Sequence, residues 1–473
     1  MAWTQVSPSI YQRPLGEVEK PMVATISGER PRPREPVKIH CFAEFKCPRP
    51  AQQVTSTLRN AWKVLRLLKC PDIATTFKDG LKEYQVPSSE EVQKWAEQTF
   101  LVSENGASVQ AVVREMQSRI DWMPVCYLVP KQQPRMLEVF EGTLILFISH
   151  WRTEASGAYQ ILNQLFDYAS ELMQDKLAAD ALSYHVHGSE VRLLTPPLEQ
   201  IFPPRSDAAT RARVEKAIAE HFSTYPPLEF PSHGNLAGSP SPVAMHRITF
   251  STESTTLLIQ ACKPLCVTIT SAVHAAYLGA VITISPDPSR AYACIMPAQL
   301  RKRLPASSPY RDQACWNAAK PMYLSAPSNQ DFLTRAKYLR NQYTTADTEE
   351  WLYGDMEEER KIVVEHASKV PLTSAALPYF TACGRLDGDI IVPDHRPITV
   401  DDVYVFADPS DWPAVVLGTW TFRGMLNVEI HYNKAVYAAK DVDTMLDRLV
   451  ETLKSELLDR KTVKIERRSV IEF

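Results

Sequence analysis

The stretch TLILFISH at residues 143–150, running directly into WRTEASGAYQILNQLFDYASELMQ at 151–174, decides how this chain is read. TLILFISH is a continuous apolar, β-rich run, the pattern of a strand with little solvent exposure on either face. In the second stretch Ile161, Leu162, Leu165, Phe166, Ala169, Leu172 and Met173 recur at helical spacing. The order is strand, short turn, long helix. His150 stands at the strand end, Glu154 follows four residues later, and Gly157 lies at the start of the helix. An imidazole held at the end of a buried strand can act as a general base if its pKa stays near neutral, and the carboxylate can fix the ring or the loop. A purely structural His with a capping Glu fits the same spacing.

Working outward, HCFAEFKC (40–47) alternates like a strand. VTSTLRNAWKVLRLLKCPDIA (54–74) sets Leu58, Ala61, Trp62, Leu65 and Leu68 on one face with Pro71 as a stop, which predicts an amphipathic helix. Short helices are expected over 92–100 and 109–116, a covered strand at VCYLVP (125–130), and a further helix over 207–222. TYPPLEFPSHGNLAGSPSPV (224–243) is dense in Pro, Gly and Ser and is expected to be an exposed crossover between two domains.

The second half follows a similar grammar. RITFSTESTTLLIQACK (247–263) is strand-like, and SAVHAAYLGAVITI (271–284) is helical. Another helix is expected over 330–342, and ADTEEWLYGDMEEER (346–360) reads as an acidic surface excursion. VYVFADP, VVLGTWTF and MLNVEIHYN read as strands, the last two joined at Arg423-Gly424 by a tight hairpin, before a closing amphipathic helix VDTMLDRLVETLKSELL.

With 473 residues, 45% hydrophobic and 23% charged, the composition is that of a soluble globular protein large enough for two domains. Lys+Arg at 52 against Asp+Glu at 55 removes the electrostatic case for nucleic acid or an anionic membrane as main partner. Nine scattered cysteines without a CxxC, Cys262 and Cys266 being the tightest apolar-flanked pair, suggest free buried thiols in a reducing compartment. The chain opens on no basic-then-apolar leader, and no stretch reaches the ~18 apolar residues of a membrane span, so a cytoplasmic location is expected. ERPRPREPVK (29–38) is read as a stiff solvated loop, with a docking arm as the alternative. GxGxxG, GxxxxGK[ST], HExxH and GxSxG are all missing. His185 and His187 share a strand face without further ligands nearby, so no metal is expected.

SHWRTEASG (149–157) resembles the HxxxD(G) motif of the chloramphenicol-acetyltransferase-like superfamily, which unites plant-type acyl-CoA transferases, peptide-synthetase condensation domains and fungal trichothecene acetyltransferases. LRNAWKVLRLLKCPDIA, STTLLIQACKPLCVTITSAVHAAYLGAV and GTWTFRGMLNVEIHYN with the final helix resemble, in order, the family's early helix, the start of its second half and its closing strands. RPLGEVEK, HWRTEASG and LLTPPLEQIF are most similar to the fungal trichothecene 15-O-acetyltransferase type. Three departures stand out. The motif Asp is Glu154 here. Ser149 occupies the place of the second His of condensation domains, which favours transfer from CoA. The DFGWG pentapeptide of the plant-type branch is absent.

The resemblance implies an α/β fold of two similar parts, 1–223 carrying the HxxxE motif and 244–473, each a mixed β-sheet flanked by helices, with a channel between them. It implies an acyl-CoA-dependent O-acyltransferase, acetylating a hydroxyl of a fungal secondary metabolite such as a trichothecene-type sesquiterpenoid. The reaction runs in a ternary complex with His150 as general base. Acetyl-CoA or another acyl-CoA is the co-substrate, a small alcohol the acceptor, no cofactor stays bound, and the enzyme is a monomer. Glu154 is expected to tie the His150 loop to Arg13, with Gly157 as structural support. Thr419, Trp420 and Thr421 are candidates for the oxyanion site or channel wall, and Lys263, Arg301 and Arg303 for the CoA phosphates. Each of these also has an ordinary structural reading. A carrier-protein-dependent condensing or releasing enzyme, or a non-catalytic relative, are the alternatives.

Overall fold

The structure is a computed structural model and describes residues 3–24, 38–104, 106–119, 123–131, 139–176, 185–204, 208–234, 242–346, 354–370, 377–388, 390–410, 413–458 and 464–473. Its strands in chain order are β1 (Thr4–Ser7), β2 (Ile10–Pro14), β3 (Lys38–Cys47), β4 (Thr76–Lys78), β5 (Leu81–Gln85), β6 (Phe100–Val102), β7 (Val125–Pro130) and β8 (Phe140–Ser149). They continue with β9 (Val243–Phe250), β10 (Tyr292–Gln299), β11 (Ala319–Ala326), β12 (Pro378–Arg385), β13 (Thr399–Ala407), β14 (Val415–Phe422), β15 (Met425–Asn433) and β16 (Ile465–Glu472).

The chain folds into two compact units. The first comprises Met1–Ile201, Gln299–Ala319 and Leu386–Ala407, and the second Phe202–Ala298, Lys320–Arg385 and Asp408–Phe473. These are not the two halves of the chain expected from a single crossover at 224–243. The physical reason is pairing: β13, late in the sequence, hydrogen-bonds antiparallel to β3 from Thr399↔Lys46 to Ala407↔Ile39 and so completes the first unit's sheet.

That sheet runs β13-β3-β8-β7-β6, mixed because β6 is parallel to β7. β8 sits in the middle, paired to β3 from Lys38↔Ser149 to Cys47↔Phe140 and to β7 from Val125↔Phe147 to Pro130↔Gly142. A central strand covered on both faces needs apolar side chains in both directions, which is why Leu144 to Ile148 is an unbroken apolar run and entirely buried. The helices Ala51–Leu68 and Ala155–Met173 pack on each other and bury Leu58, Trp62 and Leu65 of the former and Ile161, Leu165 and Phe166 of the latter. A smaller sheet, β1-β2-β5-β4, belongs to the same unit.

The second unit's sheet runs β12-β14-β15-β9-β16, with β12 parallel to β14 and the others antiparallel. The β14–β15 hairpin turns at Arg423 (φ 50°) and Gly424 (φ 72°), the paired left-handed conformation that a two-residue turn requires. The helices Thr252–Cys262, Ile269–Ile284 and Ala439–Leu457 contribute Leu258, Tyr277, Leu446 and Leu449 to a core shared with Val428, Ile430 and Tyr432 of the sheet.

Three local expectations are corrected. STESTTLLIQAC is helical, because the Ser251 hydroxyl accepts from Ser254 N at 3.2 Å and caps a helix that β-favouring Thr residues would otherwise disfavour. The described part of the expected exposed crossover is built into the second unit: Leu228 and Phe230 are buried, and Leu228 N donates to Ala291 O at 2.7 Å. Within the acidic stretch, Asp355 caps a helix over Met356–Lys369 whose Glu359 is buried against Lys320 at 2.5 Å. Most of the basic Pro-rich segment at 29–38 lies outside the described residues. No described helix is long and apolar enough to cross a membrane. All nine cysteines are free thiols, buried except for exposed Cys266 and half-buried Cys383.

Candidate active site

His150 follows the last residue of β8 and is half-buried, while Ser149 and Trp151 to Glu154 around it are buried. Burial holds the imidazole below the usual histidine pKa, opposed by the ring's own backbone carbonyl. The ring is therefore neutral at neutral pH, the form that can accept a proton. No carboxylate bonds to it among the described residues, and Nδ1 is enclosed without a hydrogen-bond partner.

Glu154 faces elsewhere. It is the N-cap of the helix Ala155–Met173, where its Oε1 accepts from Gly157 N at 3.2 Å. Oε2 accepts from Ala318 N at 3.2 Å, and Oε1 is also bonded by Arg301 Nη1. Arg301 directs three further donors to the carbonyls of Gln313 (3.0 Å), Ala314 (3.0 Å) and Trp316 (2.7 Å). Burial pulls the Arg301 pKa down, and the carboxylate with three carbonyls answers that loss of solvent. Two more bonds fasten the loop to the same segment: Thr153 Oγ1 donates to Ala314 O at 2.7 Å, and Asn317 Nδ2 donates to the His150 carbonyl at 3.0 Å.

Gly157 is required by that packing. A Cβ there would lie 2.0 Å from Thr153 Oγ1, 2.5 Å from Ala314 O and 2.7 Å from Arg301 Nη2. The longer motif carboxylate is thus accommodated by the 299–319 segment, not by Arg13.

Arg13 has a different partner. Its two terminal nitrogens bond the two oxygens of Glu19 at 2.7 Å each, and its Nε donates to Thr195 O at 3.2 Å. Burial would raise the Glu19 pKa, but Arg13 and then Lys82 hold it at about 2. Lys82 also pairs with Asp72 at 2.9 Å, and its ammonium lies 5.6 Å from the Trp151 ring centre. Arg152 covers the same ring at 4.2 Å and donates to Thr75 O at 2.7 Å. Arg13 therefore belongs to a buried charge cluster with Glu19, Lys82 and Asp72, which reaches Trp151 through Lys82 and is separate from Glu154.

The remaining candidates divide. Arg301 is buried in the Glu154 pair and is not available to a phosphate, whereas Arg303 and Lys263 are exposed, Lys263 in the second unit. On β14 the Thr419 hydroxyl donates to Asn427 O at 2.9 Å, and both Thr419 and Thr421 stand opposite core residues of β15, Val428 and Leu426. Trp420 alone of the three takes the other face. His185 pairs with Glu190 at 3.0 Å, and no group of metal-ligating side chains occurs among the described residues. A cleft of about 500 Å³ runs along the helix Ala155–Met173 past Gln160, Gln164 and Asp167. It does not include His150.

Sequence reading missed Asn317 and the clamping role of Arg301. The only signal was the RKR triplet at 301–303, which reads as solvated charge.

No family model matches the chain. Acetyltransferase pigO of Monascus ruber is 26% identical over 477 residues, spanning 97% of this chain and 98% of its own length. O-acetyltransferase pigM of the same organism is 24% identical over 472 residues, spanning 97% and 87%. Among solved structures, the TRI3 trichothecene 15-O-acetyltransferase of Fusarium sporotrichioides superposes with a TM-score of 0.79 at 15% identity, covering 96% of this chain and 97% of that one. The chain shares the fold of that acetyltransferase structure. With relatives that span it end to end and are named acetyltransferases, the chain is an acyltransferase.

Proposed function

We propose that the protein transfers an acyl group, acetyl in the first instance, from acyl-CoA to a hydroxyl of a small secondary metabolite, with His150 as general base. The observation that carries this reading is the division of labour in the loop. Glu154 is consumed by Arg301, Gly157 N and Ala318 N, while the His150 backbone is pinned by Asn317 and its neutral ring bonds no carboxylate. The ring is held in place without having its basicity spent on a neighbour.

In the reaction His150 takes the proton of the acceptor hydroxyl as the oxygen attacks the thioester carbonyl. The C–O bond forms, the tetrahedral oxyanion collapses, the C–S bond breaks, and the imidazolium returns its proton to the departing CoA thiolate. No covalent enzyme intermediate is needed. The names of pigO and pigM support acetyl transfer, and the trichothecene enzyme of like fold supports a secondary-metabolite acceptor.

The test is incubation with acetyl-CoA and a hydroxylated terpenoid or polyketide, read by mass spectrometry, beside the same acceptor with an acetyl-loaded carrier protein. Product from acetyl-CoA is expected. Product from the carrier arm alone assigns the condensing alternative, and no product from either, with the fold intact, assigns the non-catalytic one.

A further inference from the structure

A second hollow, of about 200 Å³, opens at the first turn of the helix Ala155–Met173. Ser156, Gln160, Gln299, Lys302, Arg311 and Asp312 border it, all within the first unit. It adjoins the larger cleft along the same helix, with which it shares Gln160 and Asp312.

The wall offers mostly hydrogen-bond donors. Ser156 is only 7% exposed, and its hydroxyl has no partner among the described residues. That oxygen is not among the sealed polar atoms, so it opens on the hollow it lines. Such a hydroxyl is costly until water or a ligand reaches it. Arg311 commits Nη1 to Leu304 O at 3.1 Å and keeps its other nitrogens. Gln299 accepts from Lys302 N on Oε1 at 3.4 Å, which leaves its amide NH₂ to donate. Lys302 stands exposed at the rim.

Little negative charge opposes these groups. Asp312 lies 3.7 Å from Lys69, and the Glu154 carboxylate is taken by Arg301. The helix contributes the partial positive charge of its N-terminus, where Ser156 is the second residue. Two cations, a hydroxyl and amide donors suit a tetrahedral oxyanion, whose several oxygens can accept from all of them.

We propose that this hollow binds a phosphate group, held by the Ser156 hydroxyl, Arg311 and Lys302. Its source is the ribose 3′-phosphate of CoA or free inorganic phosphate. The first source rests on the acyl-transfer reading above; the second does not.

The test titrates the full chain by calorimetry at low salt with inorganic phosphate, CoA and 3′-dephospho-CoA. With CoA as the source, CoA should bind about tenfold more tightly than dephospho-CoA, the scale of one charge-assisted bond. Ser156→Asp puts a carboxylate where a helix start tolerates one. It should abolish phosphate binding and bring CoA to the affinity of dephospho-CoA, with the melting temperature kept. Lys302→Gln and Arg311→Gln, which change solvent-facing side chains, should each weaken the phosphate contact about three- to tenfold. Phosphate binding that is lost in Ser156→Asp, with CoA no better than dephospho-CoA, assigns the hollow to free phosphate. Phosphate and CoA affinities unchanged in the three folded variants, or no saturable phosphate binding with CoA and dephospho-CoA equal, would overturn the site. Calorimetry as expected without any acetyl transfer sinks the acyl-transfer reading and leaves the site standing. Acetyl transfer with phosphate binding and the KM for acetyl-CoA unchanged in all three variants does the reverse.

Discussion

Arg301 Nη1 donates to Glu154 Oε1, joining residues 147 positions apart in sequence within one packed unit. Both side chains are nearly inaccessible, so removing one leaves the other charged and buried. Arg301→Ala should cost about 3–5 kcal/mol, the usual consequence of breaking a buried pair. Glu154→Gln retains acceptors for Gly157 N or Ala318 N and should cost less, and the double variant should lose less than the sum. Chemical denaturation of the four proteins measures this. An Arg301→Ala protein as stable as wild type would show that the pair contributes nothing.

Gly157→Ala puts a methyl group where Thr153, Ala314 and Arg301 already are. Either the helix start moves or the Arg301 clamp opens, and both displace the His150 loop. The expected result is a loss of roughly 1–3 kcal/mol, as for other overpacked sites, with a drop in kcat. Unchanged stability and turnover would mean the loop adapts without strain.

Arg13→Ala should destabilise by about 3 kcal/mol, because Glu19 keeps only Lys82, 3.6 Å away, as cation. Since Arg13 and Glu154 share no bonding partner, Arg13→Ala and Glu154→Gln should add within about 0.5 kcal/mol. A strong coupling between them in denaturation experiments would restore the direct Arg13–Glu154 tie that the sequence reading expected.

These two clusters show what sequence patterns could and could not reveal. TLILFISH and the helix after it were legible because a doubly covered strand and an amphipathic helix each impose a local period on side chains. The Arg423-Gly424 hairpin was legible because two left-handed residues demand that kind of dipeptide. The partner of Glu154 was not, since a clamp made by a return loop has no local period and an Arg in RKR looks solvated. β13 read correctly as a strand, but nothing in its own residues says which sheet it joins. Leu228 and Phe230 were hidden by the surrounding Pro and Gly, whose turn signal outweighs two apolar side chains. The polar alternation Asn427, Glu429, His431, Asn433 looked like the wet face of an ordinary strand, and only burial separates it from one.

Acid should act on rate through His150 and on stability through the three histidines that burial holds below the usual pKa, His150, His221 and His274. His150 is held below the usual histidine pKa by burial, so the acid limb of kcat/KM should fall below pH ~6.5, with a plateau at neutral pH. For stability, a folded pKa below the unfolded one means that the unfolded chain binds the proton first. The stability contributed by each neutral ring is then present above pH ~6.5 and lost as pH falls. His274, held at about 3 by burial between Tyr343 and Tyr292, should extend that loss down to about pH 3. Denaturation midpoints from pH 8 to 3 should decline along this course, less steeply in His274→Gln. A rate limb above pH 6.5 would contradict a desolvated, neutral His150.

The most direct test is the turnover of His150→Ala with acetyl-CoA and an accepted alcohol, measured on protein whose melting temperature matches wild type. A positioned general base contributes roughly 10²–10⁴-fold, so kcat should fall by that factor and lose its acid limb. A folded His150→Ala enzyme turning over at the wild-type rate would contradict the assignment of His150 as the base.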